Sequence, residues 1–185
     1  MKIYLASPFF NKFQSLVKAN MIRNAKVHFG DDQGYFDPAS TEASRSYDTS
    51  PNYDLAMTIL NENIQHIKSS DILIYPSETN DLGTLMEVGM ALRLGLSIYK
   101  YDYISESIEL QNFTNPEKLM ITTKSFIRLG HPYDAIVLGY NYDKGKSLYY
   151  DIGDNSDNIM LSIFNRVEFN GSNYVLVNRD YTEVK

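Results

Sequence analysis

The sequence predicts an α/β protein built on a doubly wound, mostly parallel sheet, carrying a β-rich appendage at its C-terminus. Three observations predict it. Short apolar runs alternate with longer stretches of helical periodicity through the first half of the chain. One run, Asp71-Ile72-Leu73-Ile74-Tyr75, is apolar without alternation, as a strand buried on both faces requires. The alternation then weakens beyond Asp102, and from Ala135 onward the pattern is that of strands and turns. An architecture of this kind is Rossmann-like or flavodoxin-like.

The elements follow in order. Lys2-Ile3-Tyr4-Leu5-Ala6, closed by Ser7-Pro8, reads as the first strand. Over residues 11–28, Phe13, Leu16, Val17, Met21 and Ile22 recur at helical spacing. A turn-rich return with Tyr35-Phe36-Asp37-Pro38 predicts a short second strand, and the polar, aperiodic residues 41–52 read as a loop. A second helix is predicted over 53–68, with Ala56, Ile59, Leu60, Ile64 and Ile67 inward. After the buried strand and a loop at 76–81 comes a helix over 83–94, apolar nearly all round, with Gly95 as its stop signal. Residues 96–101 give the next strand. Strands are then expected at 135–142, 147–152 and 166–177, the last with Asn170-Gly171 as a type I′ hairpin signal. The whole chain, 1–185, reads as one domain, with an extension at about 135–185. Folds of this class place their sites beyond the carboxyl ends of the strands, here the loops after Ala6, Tyr75 and Tyr101.

Composition narrows the function. With 185 residues the chain is long enough to bury roughly 70% of its unfolded surface without staples. Seventeen basic against twenty-three acidic residues, a net charge of −6, argue against a broad nucleic-acid footprint. The absence of cysteine excludes disulfides, thiolate metal sites and a cysteine nucleophile. His28, His66 and His131 are scattered, with no metal-ligand spacing, and no P-loop, G-x-G-x-x-G or G-x-S-x-G is present. No metal or cofactor is implied. No apolar run approaches the ~18–20 residues of a membrane span, so a cytoplasmic protein without a membrane partner is expected.

One segment carries chemistry: Asn80-Asp81-Leu82-Gly83-Thr84-Leu85-Met86-Glu87-Val88-Gly89-Met90-Ala91, where the buried strand gives way to the buried helix. Glu87 is expected in the first turn of that helix. Two readings stand side by side. Thr84-Leu85-Met86-Glu87 matches a capping box, in which the glutamate merely returns to its own helix end. Gly83 and Gly89 would then permit close packing on the strand. Alternatively, the helix dipole holds the carboxylate ionised while burial strips its water, which suits a nucleophile toward an electrophilic sugar carbon. Asp81, at the lip of the loop, is placed either to cap the helix or to reach a substrate hydroxyl.

The pattern D-x-G-T-x-x-E-x-G-x-A after a buried strand resembles the signature of the nucleoside 2-deoxyribosyltransferases. The opening Lys2-Ile3-Tyr4-Leu5-Ala6-Ser7-Pro8-Phe9-Phe10 resembles that family's first strand and aromatic loop, so the likeness spans about residues 1–121. It implies a ping-pong transfer of 2-deoxyribose between nucleobases, with Glu87 as nucleophile forming a covalent deoxyribosyl ester. Tyr4 would orient the nucleophile, and Asp81 would lie beside base and sugar. Ser7, Phe9, Phe10 and Gly83 would line the substrate pocket. The partners implied are a 2′-deoxynucleoside and a free nucleobase, and the assembly a homo-oligomer. Pro116-Glu117-Lys118-Leu119-Met120-Ile121 resembles the segment that a neighbouring subunit donates over the sugar, which carries Met120 into the site. Its plain alternative is a pair of core residues, Leu119 and Met120. Nucleoside 5′-monophosphate N-glycosidases of the same fold place serine where Asp81 stands, so the carboxylate favours the free nucleoside.

The chain departs from the pattern it resembles at Asn63, where the resemblance implies an aspartate that assists proton transfer to the base. An amide can hydrogen-bond a base but cannot protonate it. Slow turnover, a bias toward purines and a rate rising toward pH ~5 are therefore expected. A hydrolase on the same scaffold and a non-catalytic nucleoside-binding module are the competing functions.

Overall fold

In the computed structural model, residues 1–49, 53–77, 79–113, 126–128, 132–142, 149–151, 166–169 and 174–177 are described. Strand β1 (Lys2–Leu5) leads through Asn11, whose side chain accepts from the Gln14 amide as an N-cap, into α1 (Lys12–Phe29). β2 (Gly34–Phe36), a 3₁₀ turn at Pro38–Ser40, α2 (Glu42–Thr49) and α3 (Tyr53–Lys68) follow. Then come β3 (Ile72–Pro76), α4 (Leu82–Leu94), β4 (Ser97–Asp102) and β5 (Ser107–Leu110). The five strands form one sheet in the order β2-β1-β3-β4-β5, parallel except for β5, which runs antiparallel to β4. This is the doubly wound arrangement that the alternation of the sequence predicts.

The period-2 alternation of strand side chains sorts the core into two halves. Ile3 and Leu5 of β1 join Ile72, Ile74 and Tyr101 against Val17, Met21 and Ala25 of α1. Tyr4, Ala6, Leu73 and Ile98 point to the opposite face, against Leu60 and Ile67 of α3 and Met86 and Met90 of α4. Gly95 closes α4 at φ 78°, the left-handed stop that a glycine makes without strain.

Two predicted elements are corrected and one strand is added. Residues 41–52 are not simply a loop: Thr41 Oγ1 accepts from the Ser44 amide and opens α2, whose Ala43 and Ser44 are buried. The helix is short and polar, so periodicity gave no signal. The antiparallel edge strand β5 is the addition; Asp102 Oδ1 takes the Ile104 and Ser105 amides and builds the turn before it.

Residues 135–142 are not a strand. They belong mostly to α5 (Pro132–Tyr140), which buries Ala135, Val137 and Leu138. A short apolar run does not reveal its own period, and packing against α4 decides the matter. The two helices meet backbone to backbone. A Cβ on Gly89 would lie 2.0 Å from the Ile136 carbonyl oxygen, and one on Gly139 would lie 1.9 Å from that of Met86. Gly89 thus serves the α4–α5 seam rather than helix–strand packing. Farther on, β6 (Phe126–Arg128) pairs parallel with β7 (Tyr149–Asp151), and β8 (Arg166–Phe169) pairs antiparallel with β9 (Tyr174–Val177). The Asn170-Gly171 turn lies outside the described residues.

Candidate active site

The site forms where β1 and β3 end side by side, the point at which one loop leads to α1 on one face and the other to α4 on the opposite face. Such a switch point opens a crevice beyond the strand ends. Asp81 begins α4: its Oδ2 accepts from the Thr84 amide at 2.6 Å. The cap is therefore Asp81 and not Thr84. With Leu82 as the first helical residue, Glu87 falls in the second turn, too deep for a capping box.

Glu87 is 5% exposed and has two partners drawn from other elements. The Tyr4 hydroxyl of β1 donates to its Oε1 at 2.8 Å, and the Asn63 amide of α3 donates to the same oxygen at 3.0 Å. Both partners are themselves buried. The parallel pairing of β1 and β3 sets Tyr4 beneath the start of α4, and the α3 stripe containing Leu60 and Ile67 presents Asn63. Three chain segments thus converge on one carboxyl group.

Burial dominates its electrostatics and pushes the Glu87 carboxyl from its ordinary value of 4.5 up to about 8. The Tyr4 hydrogen bond pulls the other way, while the Asp81 and Asp37 carboxylates add to the rise. The same burial, then the charge of Glu87, holds the Tyr4 hydroxyl well above its usual range. The expectation of a carboxylate kept ionised by the helix dipole is therefore overturned. The dipole acts within the first turn, and Glu87 lies beyond it. A carboxyl raised to about 8 gains its charge only as pH rises, which is opposite in sign to the acid-favoured rate expected above.

A narrow cavity opens over this carboxyl and brings together the expected residues Ser7, Phe9, Phe10, Asn63, Asp81, Gly83 and Glu87, with Tyr4 beneath. Phe9 and Phe10 stack on each other, with centroids 5.0 Å apart, and Phe10 stands 60% exposed at the rim. Met120 lies outside the described residues. Sequence reasoning missed Pro38, Ser44 and Ile59 as walls of this cavity. Ser44 was hidden in the segment read as loop, and Ile59 reads equally well as core. A second cleft of about 330 Å³ adjoins on the α1 side, sharing Ser7, Pro8 and Asp81. Among the described residues no lysine or arginine lines either space, and no cluster of three His, Asp or Glu side chains is placed to hold a metal ion. No described helix is long and apolar enough to cross a membrane.

Fold and site together define a class: a doubly wound α/β protein with one buried carboxyl, supported by a tyrosine and an amide, at its switch point. The model of the nucleoside 2-deoxyribosyltransferase family matches residues 3–120. The chain belongs to that family, and is a transferase acting on nucleosides and nucleobases. Among solved structures, the 2-deoxyribosyltransferase of the psychrotolerant bacterium Bacillus psychrosaccharolyticus is 24% identical. The match covers 55% of this chain and 72% of that one, at a TM-score of 0.45. No curated protein matches the chain.

Proposed function

We propose that the protein transfers 2-deoxyribose between nucleobases in two displacements on Glu87. The observation that carries this reading is the convergence of Tyr4 and Asn63 on Oε1 of a buried carboxyl that lines a cavity. In the first displacement a Glu87 carboxylate oxygen attacks C1′ of a 2′-deoxynucleoside. The C1′–N bond breaks, its electron pair leaves on the base nitrogen, and the base takes up a proton. In the second, a nitrogen of the incoming base attacks C1′, the ester bond returns its pair to Glu87, and that nitrogen releases its proton. Two inversions give net retention.

The two donors keep the attacking group aligned, and its poor hydration raises its reactivity once ionised. Phe9 and Phe10 offer aromatic surface to the base. The Glu87 cavity is too narrow for a whole nucleoside, and the cleft beyond Asp81 supplies the remaining room. Free nucleosides fit these walls better than 5′-monophosphates, since the charged group shared by the two spaces is the Asp81 carboxyl and neither is lined by a described cation.

The test is incubation with deoxyadenosine or thymidine, with and without a second free base. A new nucleoside, together with a deoxyribosyl adduct on the Glu87 peptide after rapid quenching, is the expected result. Free deoxyribose alone makes the protein a hydrolase. Saturable binding without turnover makes it a nucleoside-binding module, and faster cleavage of the 5′-monophosphates overturns the substrate assignment.

A further inference from the structure

One ion pair stands just outside the cavity and belongs to none of the roles above. Lys18, on the flank of α1, reaches Asp37 Oδ2 at 2.7 Å, and the two side chains are only 12% and 25% exposed. Each partner is also tied to a different wall of the site. The Lys18 ammonium lies over the Phe9 ring, 5.1 Å from its centroid, and Phe9 lines the Glu87 cavity. Asp37 caps the 3₁₀ turn, its Oδ1 accepting from the Ala39 amide at 3.0 Å. That turn begins with Pro38, another cavity wall, whose carbonyl accepts from the Ser44 hydroxyl at 2.9 Å. The path Phe9–Lys18–Asp37–Pro38–Ser44 therefore links the loop after β1 to the turn after β2 around the mouth of the site.

Charge makes the link more than mechanical. Of the titratable groups on the elements packed around Glu87, Tyr4 on β1 stabilises its ionised form, while Asp81 at the α4 cap and Asp37 after β2 oppose it. Lys18 is the counter-charge to Asp37. A pair this poorly exposed is weakly screened by salt, and the Asp37 charge is felt at Glu87.

We propose that Lys18 and Asp37 form a positioning pair for Glu87, tying the two walls of the cavity together, with Lys18 offsetting part of a carboxylate charge that opposes ionisation of the nucleophile. The inference deepens the proposed function, but its first readout, the ionisation of Glu87 in the ligand-free protein, does not depend on turnover. The carboxyl carbon of Glu87 is followed by ¹³C NMR as pH is raised, in wild type, Lys18→Met, Lys18→Arg, Asp37→Asn and the Lys18→Met/Asp37→Asn double variant. Methionine keeps the apolar stem and removes the charge. Asparagine keeps the cap.

The Lys18→Met midpoint is expected to rise by on the order of half a pKa unit, with about a threefold loss of kcat/KM at neutral pH. Lys18→Arg should restore both values. Asp37→Asn should lower the midpoint, and the double variant should return it toward wild type. An unmoved midpoint in both Lys18→Met and Asp37→Asn overturns the proposal. So does a double variant that keeps the full Lys18→Met shift, because the effect would then be packing alone. If the midpoints move as expected while wild type turns over no deoxynucleoside, the positioning pair stands and the proposed transfer fails.

Discussion

The two faces of one short strand differ sharply. On the α1 side, β1 contributes Ile3 and Leu5 to a cluster closed by Ile72, Ile74 and Val17. On the other side it contributes Tyr4, whose hydroxyl ends on Glu87. Among the described residues the buried polar side chains are Ser44, Asn63, Thr84, Glu87 and Asn141. All lie on α2, α3 and α4 or just after α5, and none on α1. Burying a carboxyl costs stability unless it is partnered, and here even the partnered group has a strongly raised pKa. The α1 face thus carries apolar burial and one phenol, Tyr101, whose hydroxyl accepts from Asn24 at 3.5 Å, while the α4 face buries a carboxyl group at the cavity. That contrast, more than any single motif, supports the function proposed for the α4 face.

The largest test is removal of the charge itself. Glu87→Gln should lower turnover by a factor of about 10³ or more while the protein folds. It should also stabilise. The Glu87 carboxyl titrates at 4.5 when unfolded and about 8 when folded, so the folded state holds the proton more tightly. Its contribution is full below pH 4.5 and is lost as pH rises through 8. At about 1.4 kcal/mol per pKa unit, the glutamine variant should outlast wild type by a few kcal/mol at pH 9 and lose that advantage toward pH 4. Parallel denaturation curves at the two extremes would show that Glu87 carries no burial penalty.

A matched pair on β1 sharpens the comparison. Leu5→Ala, on the α1 face, should cost about 2–5 kcal/mol of stability and leave the pH–rate profile in place. Tyr4→Phe, one residue away on the other face, should do the reverse. It removes the donor that holds the Glu87 pKa down, so the ascending limb should move about one unit to higher pH, with about a tenfold loss at neutral pH. Thermal melts and pH–rate profiles of the two variants decide it. A shifted profile in Leu5→Ala would mean the faces are not independent.

The same contrast explains how much was legible in the sequence. The strands β1, β3 and β4 and the helices α1, α3 and α4 could be read because each carries its own period or an uninterrupted apolar run. Gly95 marked a helix end because its chemistry is local. α2 and β5 lack an apolar signal, and α5 shows one that serves strand and helix equally, so its form is set by the backbone contact of Gly139 with Met86. Within the site, Glu87, Asp81, Tyr4 and Asn63 were found by resemblance and spacing. Their geometry was not. Tyr4 and Glu87 are 83 residues apart, and only the register of β1 on β3 brings them within 2.8 Å. The sign of the Glu87 shift depends on how completely those segments exclude water, a property no local pattern encodes.

The smallest expected effect is the most discriminating, and it concerns Asn63. The sequence presents this residue as a missing acid. In the structure its amide donates to Glu87 Oε1 at 3.0 Å, so it also supports the ionised nucleophile. Asn63→Asp exchanges an amide that never titrates for a carboxyl that titrates jointly with Glu87. While the pair shares one proton, the new carboxyl can donate to Glu87 or to the departing base, which supplies an acid that the amide cannot. Thymidine, whose base is the harder to protonate from solvent, should gain severalfold near pH 6, and deoxyadenosine should gain less. Once the shared proton is lost, two carboxylates face each other and the advantage inverts. Wild type should therefore rise toward pH 8 and level off, while the variant should pass through a maximum and fall on the alkaline side. A variant that gains on thymidine without an alkaline fall would show that the new carboxyl is not coupled to Glu87. One that gains nothing at any pH would leave Asn63 solely as a support for the nucleophile, with the proton arriving from Asp81 or from solvent.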